Sequence, residues 1–407
     1  MTEMTPRERM MTAMRGGIPD RVPSAPDISN MIPCRLTGKP FYEIYANDNP
    51  NLADAYLHAL DVLPMDGWYT YGGLRYHYPE AIERKRDWIS RGRESWRCRD
   101  TICTPAGNLS ETTVFPAGNP PTTVEKMIKN LKEDFPKYRY LYQLPDRYDD
   151  TRFQEYKAKL GEKGVMCIPI NPPGLHLWSG AFDGSLEAAT YAYYDMPEIF
   201  EELRELHERQ ALRQLEMALD RKVGVDSILT GGSGSITLQS PVIWRKLSLP
   251  TLKKITRMCR EAGVISGIHS CGIERILIET CCRETDLDYV NPLEEAPMGD
   301  CVLKEIRDLT GGKLCLMGNL HTVNTMLNGS VELVRLRSLE AIRDAGQNGG
   351  FILSTADQCG RDTPLENIAE MNRTVREFGQ YPLNMEKIQK EIDYLQKNVA
   401  NSMENIV

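Results

Sequence analysis

The sequence predicts an α/β protein in which parallel strands and helices form a closed (β/α)8 barrel of the TIM type. In the second half of the chain, short β-branched or apolar runs alternate with amphipathic helical runs, as in parallel strands joined by crossover helices. The 407 residues are enough for one large barrel with an insertion or for two ordinary domains. Because the strand count approaches eight, we favour a single barrel domain over residues 1–407 rather than an open, doubly wound sheet.

The predicted strands are short buried runs, and helical runs separate them. Each strand is rich in β-branched or apolar residues. The strands are predicted at residues 21–26, 165–171, 225–231, 264–269, 287–292, 313–319 and 350–355. The main helices are predicted at residues 196–220, 241–262, 273–283, 329–346 and 364–378, several with a proline near the first turn.

Two segments depart from this alternation. Residues 66–120 contain Trp-rich and Thr-rich runs punctuated by Gly and Pro, which predicts antiparallel β-hairpins forming a lip near the barrel mouth. Residues from about 382 to 402 form a charged amphipathic pattern, which predicts an appended C-terminal helix. This helix is expected to pack on the barrel or to contact a second copy in a homo-oligomer.

Composition and charge exclude several classes of protein. Hydrophobic residues make up 41% of the chain, and no apolar run is long enough to span a membrane. The N-terminal residues include acidic side chains and lack an apolar segment, so we expect no secretory signal and a cytoplasmic location. The net charge of −8 lacks the basic excess that binding a nucleic acid backbone requires.

The eleven cysteines are scattered and odd in number, which indicates free thiols in a reducing compartment, with a metal site among them. Most are expected to be small buried hydrophobic residues. Cys281 and Cys282 follow Ile273, Ile276 and Leu277, which have the spacing of one helix face, so this cysteine pair is expected to fill space in the core.

One pair of residues has the spacing of a metal site. His269 and Cys271 are two positions apart at the end of a predicted strand, so their side chains point to the same side. An imidazole and a soft thiolate suit zinc, which in catalytic sites has three protein ligands and one open position. Cys359, in the loop after a later strand, is the candidate third ligand. The alternative is a core histidine beside a buried thiol.

Further polar residues follow the neighbouring predicted strands. Glu294 is a candidate catalytic residue and fourth, displaceable zinc ligand, with a solvated loop residue or a hydrogen-bond partner of His269 as the alternatives. Asn319 and His321 follow the next strand, and His321 is a candidate for orienting the substrate. The alternative for His321 is a residue at a helix start whose side chain bonds to the backbone.

Three other features are candidates for contacts with a ligand. Gly231 and Gly232 begin a glycine-rich run that lets the backbone approach a cofactor or substrate closely, although the spacing of nucleotide-binding loops is absent. Asp226, at the start of the same strand, is a candidate catalytic residue, and local hydrogen bonding is the alternative. Trp178 is a candidate for packing against a bound aromatic or methoxylated molecule, and core packing is the alternative.

Together these motifs resemble the uroporphyrinogen decarboxylase-like barrels, and within them the zinc-dependent, corrinoid-linked methyltransferases. The resemblance covers nearly the whole chain. In those methyltransferases a His-x-Cys pair and a distant cysteine hold zinc, which implies His269, Cys271 and Cys359 here, and less securely Glu294. The motifs that carry it are Ile268-His-Ser-Cys-Gly272, Asn291-Pro-Leu-Glu294, Pro297-Met-Gly-Asp300, Leu316-Met-Gly-Asn-Leu320, Gly349-Gly-Phe-Ile-Leu-Ser-Thr and Asp362-Thr-Pro.

The chain departs from the decarboxylases themselves near the first strand. Uroporphyrinogen decarboxylases carry an Arg-Gln-Ala-Gly-Arg-Tyr segment there, whose arginines meet the acidic substrate, whereas this chain has Pro-Ser-Ala-Pro-Asp-Ile-Ser-Asn-Met-Ile-Pro at residues 23–33. A tetrapyrrole with many carboxylates requires paired, planar cations. The resemblance therefore implies a methyltransferase more strongly than a decarboxylase.

The resemblance implies that a methyl group moves between a small substrate and a corrinoid. An O-methyl donor is slightly favoured over a thiol acceptor because the insertion makes the chain bulkier than the thiol-methylating relatives. The corrinoid (cobalamin) is expected on a separate protein, since the chain lacks the Asp-x-His-x-x-Gly signature of a cobalamin-binding domain. The alternatives are a decarboxylase acting on a porphyrinogen-like acid and a non-catalytic, zinc-binding barrel subunit.

Overall fold

The computed structural model describes residues 3–80 and 82–404, and within these residues thirteen strands and sixteen α-helices are assigned. The first two residues of the segment in which we expect no secretory signal lie outside the described residues. The strands are β1 (Gly67–Tyr69), β2 (Arg75–His77), β3 (Glu83–Arg91), β4 (Ser95–Thr104), β5 (Gly107–Pro116), β6 (Thr122–Glu125), β7 (Arg147–Asp149), β8 (Gly164–Pro169), β9 (Ser227–Gly231), β10 (Ile265–His269), β11 (Tyr289–Asn291), β12 (Cys315–His321) and β13 (Phe351–Ala356).

The α-helices account for most of the remaining chain, and most of them lie around the strands. They are α1 (Pro6–Met14), α2 (Ile32–Leu36), α3 (Phe41–Asn47), α4 (Leu52–Val62), α5 (Leu131–Tyr138), α6 (Thr151–Leu160), α7 (Leu175–Trp178), α8 (Ser185–Asp195), α9 (Pro197–Ala218), α10 (Ser240–Leu247), α11 (Leu249–Ala262), α12 (Arg275–Glu284), α13 (Leu303–Thr310), α14 (Val331–Ala345), α15 (Leu365–Phe378) and α16 (Met385–Glu404).

The central sheet has seven parallel strands in the order β1-β8-β9-β10-β11-β12-β13. The extended residues 22–25 pair with both of its edges. Leu353 of β13 exchanges backbone hydrogen bonds with Pro23 and Ala25, and on the other side Asp66, which precedes β1, donates its N–H to the carbonyl of Ser24. These residues take the place of an eighth strand, so the sheet closes and the predicted (β/α)8 barrel is confirmed.

Buried charges support this closure. Asp66 is almost fully buried; its Oδ2 accepts a hydrogen bond from the backbone N–H of Ser24, and Arg21 lies 3.0 Å from the same oxygen. Arg9 of α1 donates to Asp66 Oδ1 at 2.5 Å and to Asp20 at 2.7 Å. Each of these four charged groups therefore has a partner of opposite charge, as burial in a low-dielectric interior requires.

Most predicted strands and helices are present, with two corrections in the second half of the chain. The predicted helix at residues 241–262 is two helices, α10 and α11, because Pro250 lacks an N–H and begins a new helix in its first turn. In α12 the buried face contains Leu277, Ile278 and Cys281, whereas Ile276 is exposed, and so is Ile273, which precedes the helix. The packing of Cys281 in the core agrees with the prediction, but the helix face is a different one.

The inserted region begins later than predicted. Residues 67–69 form β1, whose parallel pairing with β8 makes it part of the barrel wall. The antiparallel sheet β3-β4-β5-β6 spans residues 83–125 and packs against α3 and α5. Short strands such as β1 carry too few residues for the sequence pattern to distinguish a barrel strand from an insertion.

The C-terminal helix is α16, and it packs on α14 through the buried side chains of Ile388, Ile392 and Leu395. Between Glu386 and Lys397, the exposed side chains of this helix are charged or polar apart from Tyr394, as the amphipathic pattern predicts. In the part of the chain that the structure describes, no helix combines the length and apolar character needed to cross a bilayer.

Candidate metal centre at the barrel mouth

The candidate site lies where the parallel strands end. His269 is the last residue of β10 and pairs in register with Gly231 of β9 and Asn291 of β11. Asp357 follows directly after β13. Since the carboxyl ends of all barrel strands meet at one face, these residues share the mouth of the barrel.

Three side chains form a cluster with donor atoms suited to a metal. The ligand atoms of His269, Cys271 and Asp357 all lie within 4.8 Å of one another. Cys271 Sγ is 3.2 Å from His269 Nε2, and His269 Nε2 is 3.8 Å from Asp357 Oδ1. Tetrahedral zinc with bonds of about 2.0–2.3 Å separates its ligand atoms by about 3.3–3.8 Å, so the nitrogen, sulfur and oxygen donors fit this ion.

Asn291 fixes the orientation of the His269 ring. Its Nδ2 donates a hydrogen bond to the carbonyl of Met317 at 3.2 Å, which leaves its Oδ1 as the acceptor 2.7 Å from His269 Nδ1. His269 therefore carries its proton on Nδ1 and presents the Nε2 lone pair to the cluster. This is the arrangement that metal-binding histidines use. Sequence reasoning missed Asn291, although its position at the end of a predicted strand could have identified it.

Both candidate thiols are held in buried surroundings. Burial raises the pKa of the Cys271 thiol well above its usual value and raises the pKa of Cys359 to about 12. Cys359 is fully buried, its backbone N–H donates to the carbonyl of Asp27, and it is not part of the three-residue cluster. The role of Cys359 as a zinc ligand therefore stays a prediction, and Asp357 is a donor that sequence reasoning missed.

A cavity of about 250 Å³ opens beside the cluster. Gly231 and Gly232 line it, and their role in letting a ligand approach the backbone stays a prediction. A side chain at Gly231 would lie 2.3 Å from the carbonyl oxygen of His269, and its φ of 87° also favours glycine. The other lining residues include no lysine and no arginine; they are Asp27, Ser29, Asn30, Trp68, Thr70, Pro169, Asn171, Leu229, Thr230, Ser233, His269, Asp357 and Gln358.

Asp27 is the second carboxyl group that lines this cavity. It is 7% exposed, and its Oδ1 accepts a hydrogen bond from the backbone N–H of Ser29 at 2.9 Å. Burial raises the pKa of this carboxyl group above its usual value. Sequence reasoning missed Asp27, although its position just after the first predicted strand could have identified it as a residue of the barrel mouth.

Glu294 lies beside the cluster but points to the backbone. Its carboxylate accepts a hydrogen bond from the N–H of Gly272, the residue after Cys271. Burial raises the pKa of Glu294, and the N–H of Gly272 opposes this shift. The predicted roles of Glu294 as a fourth ligand or catalytic group stay predictions, and the observed contact holds the Cys271 loop.

Asn319 and His321 line a different cavity, of about 260 Å³, beside α14. His321 Nδ1 accepts hydrogen bonds from the backbone N–H groups of Val323 and Asn324, both at 3.1 Å. These bonds satisfy the free backbone N–H groups at the start of a helical turn at residues 322–327. A helix-start residue bonded to the backbone was the alternative role for His321. The observed contacts do not place either side chain at the cluster.

Two predicted site residues are corrected by the structure. Asp226 precedes β9, at the opposite end of the barrel from the mouth, and accepts hydrogen bonds from Arg7 at 2.6 Å and from the N–H of Met166 at 3.0 Å. Trp178 is buried in a second hydrophobic cluster, and its Nε1 donates to His207 Nδ1 at 3.1 Å. Neither side chain lines the mouth cavity, so Asp226 has a structural ion pair and Trp178 a packing role.

Three comparisons relate the chain to known proteins. The model of the uroporphyrinogen decarboxylase (URO-D) family matches residues 180–378. A uroporphyrinogen decarboxylase from Trichodesmium erythraeum (strain IMS101) is 36% identical over 76 residues, which cover 19% of this chain and 21% of that protein. The match thus spans about a fifth of that relative's length.

The third comparison concerns the fold. A methyltransferase from Methanosarcina mazei superposes with a TM-score of 0.61 and 15% sequence identity, covering 92% of this chain and 99% of the other. Similarity at this level of identity establishes a common barrel fold over nearly the whole chain. It does not transfer the activity, because one fold can support many functions.

Proposed function

We propose that this chain, whose residues 180–378 match the uroporphyrinogen decarboxylase family model, is a member of the uroporphyrinogen decarboxylase-like barrels and acts as a zinc-dependent methyltransferase that works with a corrinoid on a separate protein. The observation that carries the proposal is the cluster of imidazole, thiol and carboxyl donors at the barrel mouth. The mouth is where barrel enzymes bind their substrates. The methyltransferase identity of the structural neighbour supports the same reading.

Zinc would be held by His269 and Cys271 together with one or both donors of the loop after β13. Asp357 is already beside His269, and Cys359 is the thiol that the resemblance implies. When bound, zinc supplies a Lewis acid that stabilises a thiolate at neutral pH or makes the oxygen of a methyl ether a better leaving group. The donor set, with soft sulfur and imidazole, suits this ion better than magnesium or calcium.

The residues around the cluster position a small substrate. Asn291 keeps the His269 ring in one orientation, and the glycines of β9 leave room for a ligand against the backbone. The cavity has carboxyl, amide and hydroxyl groups but no cationic side chain, so it favours a neutral methoxy or thiol compound over a polycarboxylate. An O-methyl donor remains slightly favoured over a thiol acceptor.

An apolar rim supports docking of a protein partner at the mouth. Exposed hydrophobic side chains follow the ends of β9, β10 and β11, next to the loop that carries Cys271. They are Leu238, Val242, Ile273, Ile276, Met298 and Val302. Ile273 is joined to the β9 loop through a hydrogen bond from its N–H to Thr237. Exposed apolar residues near a substrate-binding mouth suit a protein-binding surface, and the corrinoid protein is the partner that the proposed reaction needs.

A decarboxylase is the second candidate, because both sequence comparisons name uroporphyrinogen decarboxylase. The composition of the cavity does not favour this activity, because its lining residues include none of the arginines that would bind a substrate with many carboxylates. A zinc-binding subunit without catalytic turnover is the third possibility. The decarboxylase would be indifferent to zinc chelators, and the non-catalytic subunit would bind zinc without transferring methyl groups.

Metal analysis tests the proposal. We expect the purified protein to contain about one zinc per chain, and Cys271→Ser to lose it while circular dichroism shows an unchanged fold. Cys282→Ser is the matched control, because this half-buried thiol lies outside the cluster. The zinc-loaded protein is then assayed for methyl transfer from methoxy compounds to a reduced corrinoid protein. Wild-type protein that binds no zinc, or decarboxylates a porphyrinogen in the presence of chelator, would contradict the methyltransferase proposal.

A further inference from the structure

Glu274 occupies an unusual position at the start of α12. It is the residue that precedes the helix, where Ser, Thr, Asp or Asn normally caps the free backbone N–H groups. Its side chain makes no such cap. Instead, Asp300 from the loop after β11 accepts hydrogen bonds from the N–H groups of Glu274 and Arg275, at 2.8 and 3.0 Å.

The Glu274 carboxyl group turns inward toward the neighbouring loop. Glu274 is fully buried, and its Oε2 accepts hydrogen bonds from the N–H groups of Leu293 and Glu294, at 2.9 and 3.3 Å. Its Oε1 has no hydrogen-bond partner. Burying a carboxyl group with one unpartnered oxygen is costly, so a simpler capping residue would stabilise the helix better.

The loop after β11, which contains Glu294, also binds the segment that carries Cys271 and Glu274. Glu294 accepts a hydrogen bond from the N–H of Gly272, next to Cys271. The loop after β11 thus sends two carboxyl groups, those of Glu294 and Asp300, to the backbone of the segment after β10, and Glu274 sends one in return. The two loops also contact each other through the backbone: the N–H of Ser270 donates to the carbonyl of Asn291 at 2.9 Å. Gly299 lies so close to the carbonyl of Gly272 that a side chain at this position would collide with it.

We infer that Glu274 is a positioning residue that holds the Cys271 loop and the Glu294 loop in a fixed spacing. The inference rests on the proposed function for the use of that spacing, which is to keep the Cys271 sulfur beside His269. Glu274 does not contact the cluster itself. It acts through the backbone of Leu293 and Glu294, and through the Glu294 carboxylate that holds Gly272.

Three variants separate positioning from general stability. Glu274→Ala removes the acceptor, and Glu274→Gln keeps an oxygen that can accept both N–H groups. Asp288→Ala is the matched control, because Asp288 is a partly buried carboxylate that accepts from the N–H of Ser266, in the same strand as His269 but at its other end. Glu274→Asp, one methylene shorter, replaces the alanine variant if the latter does not fold.

Two measurements are made on each variant. In the metal-free protein, hydrogen exchange reports the protection of the amides of Gly272, Leu293 and Glu294. In a competition titration with a chromophoric chelator, zinc affinity reports the geometry of the cluster. We expect Glu274→Ala to expose these amides and to weaken zinc binding by about 10- to 100-fold, the usual effect of losing a residue that supports metal ligands. Glu274→Gln should resemble the wild type in both measurements.

The control variant and the variants of Glu274 are expected to give different results. Asp288→Ala should lower the melting temperature without changing zinc affinity or the protection of these amides. Unchanged amide protection in Glu274→Ala would overturn the inference, and so would a glutamine variant as impaired as the alanine variant. If the wild-type protein binds no zinc, the proposed metal centre fails, while hydrogen exchange still decides whether Glu274 holds the loops together.

Discussion

At the residue scale, Asp357 and Cys359 are the two candidates for the third ligand of the proposed zinc site at the barrel mouth. Asp357 lies 3.8 Å from His269 Nε2, on a backbone with a positive φ of 82°. Cys359, two residues later, is buried with its pKa raised by burial. Zinc prefers sulfur and nitrogen donors, so we expect Cys359 to complete the ligand set and Asp357 to take the displaceable fourth position.

Cobalt substitution tests this assignment. We expect the cobalt(II) protein to show sulfur-to-metal charge-transfer absorption from two thiolates, and Cys359→Ala to lose about half of it and to bind zinc weakly. Asp357→Asn should keep the full absorption, because it removes no sulfur donor. The opposite pattern, in which Asp357→Asn loses the metal and Cys359→Ala keeps it, would make Asp357 the third ligand.

At the element scale, the packing of α7 against α9 explains why Trp178 does not reach the substrate cavity. Trp178 of α7 makes an edge-to-face contact with Phe200 of α9 and donates its Nε1–H to His207 of the same helix. His176 of α7 lies 3.0 Å from the Gln239 amide group. Burial lowers the pKa of both histidines to about 4, so each is neutral at physiological pH.

This packing predicts a pH dependence of stability. The unfolded chain binds protons on these histidines near pH 6.5, whereas the folded chain does so only near pH 4. The contribution of these two neutral histidines to the free energy of unfolding is therefore greatest above pH 6.5. It decreases as the pH falls from 6.5 to 4, by up to about 1.4 kcal/mol per pH unit for each histidine.

Urea unfolding of the wild type and of His207→Gln across this range isolates one histidine from the carboxyl groups that also titrate. We expect a shallower pH dependence in the variant, because one proton-binding group is removed. Equal slopes for the two proteins would mean that His207 is not the group responsible.

At the scale of the whole molecule, closure of the barrel depends on residues far apart in sequence. Asp66 binds the backbone of Ser24 and the side chains of Arg9 and Arg21, so one carboxylate joins the N-terminal helix, the closing segment and β1. Removing it would leave the buried Arg9 charge with fewer partners and weaken the contact that closes the sheet.

Denaturant unfolding measures this effect. We expect Asp66→Ala to lower the free energy of unfolding by about 3–5 kcal/mol, the usual cost of breaking a buried ion pair. Asp61→Ala is the control, since its ion pair with Lys163 is largely exposed and should contribute no more than about 1 kcal/mol. A similar small loss in both variants would show that the closure does not depend on the Asp66 charge.

The fold was predictable because its signals are local. Buried β-branched runs and amphipathic helices follow from the period of the side chains, so β8 to β13 and helices α9, α12, α14 and α15 were predicted within a few residues. The boundary of the insertion and the break at Pro250 were not, because β1 is only three residues long and a proline can either begin or interrupt a helix.

The sequence by itself determined the barrel class, the alternation of strands and helices, and the pairing of His269 with Cys271, since two residues two positions apart at a strand end must share a side. Only the tertiary structure decided that Asp357 and Asn291 surround His269, that Asp226 lies at the far end of the barrel, and that Trp178 is core. These facts depend on which chain segments the closed barrel brings together, and residues distant in sequence carry no local signal of that contact.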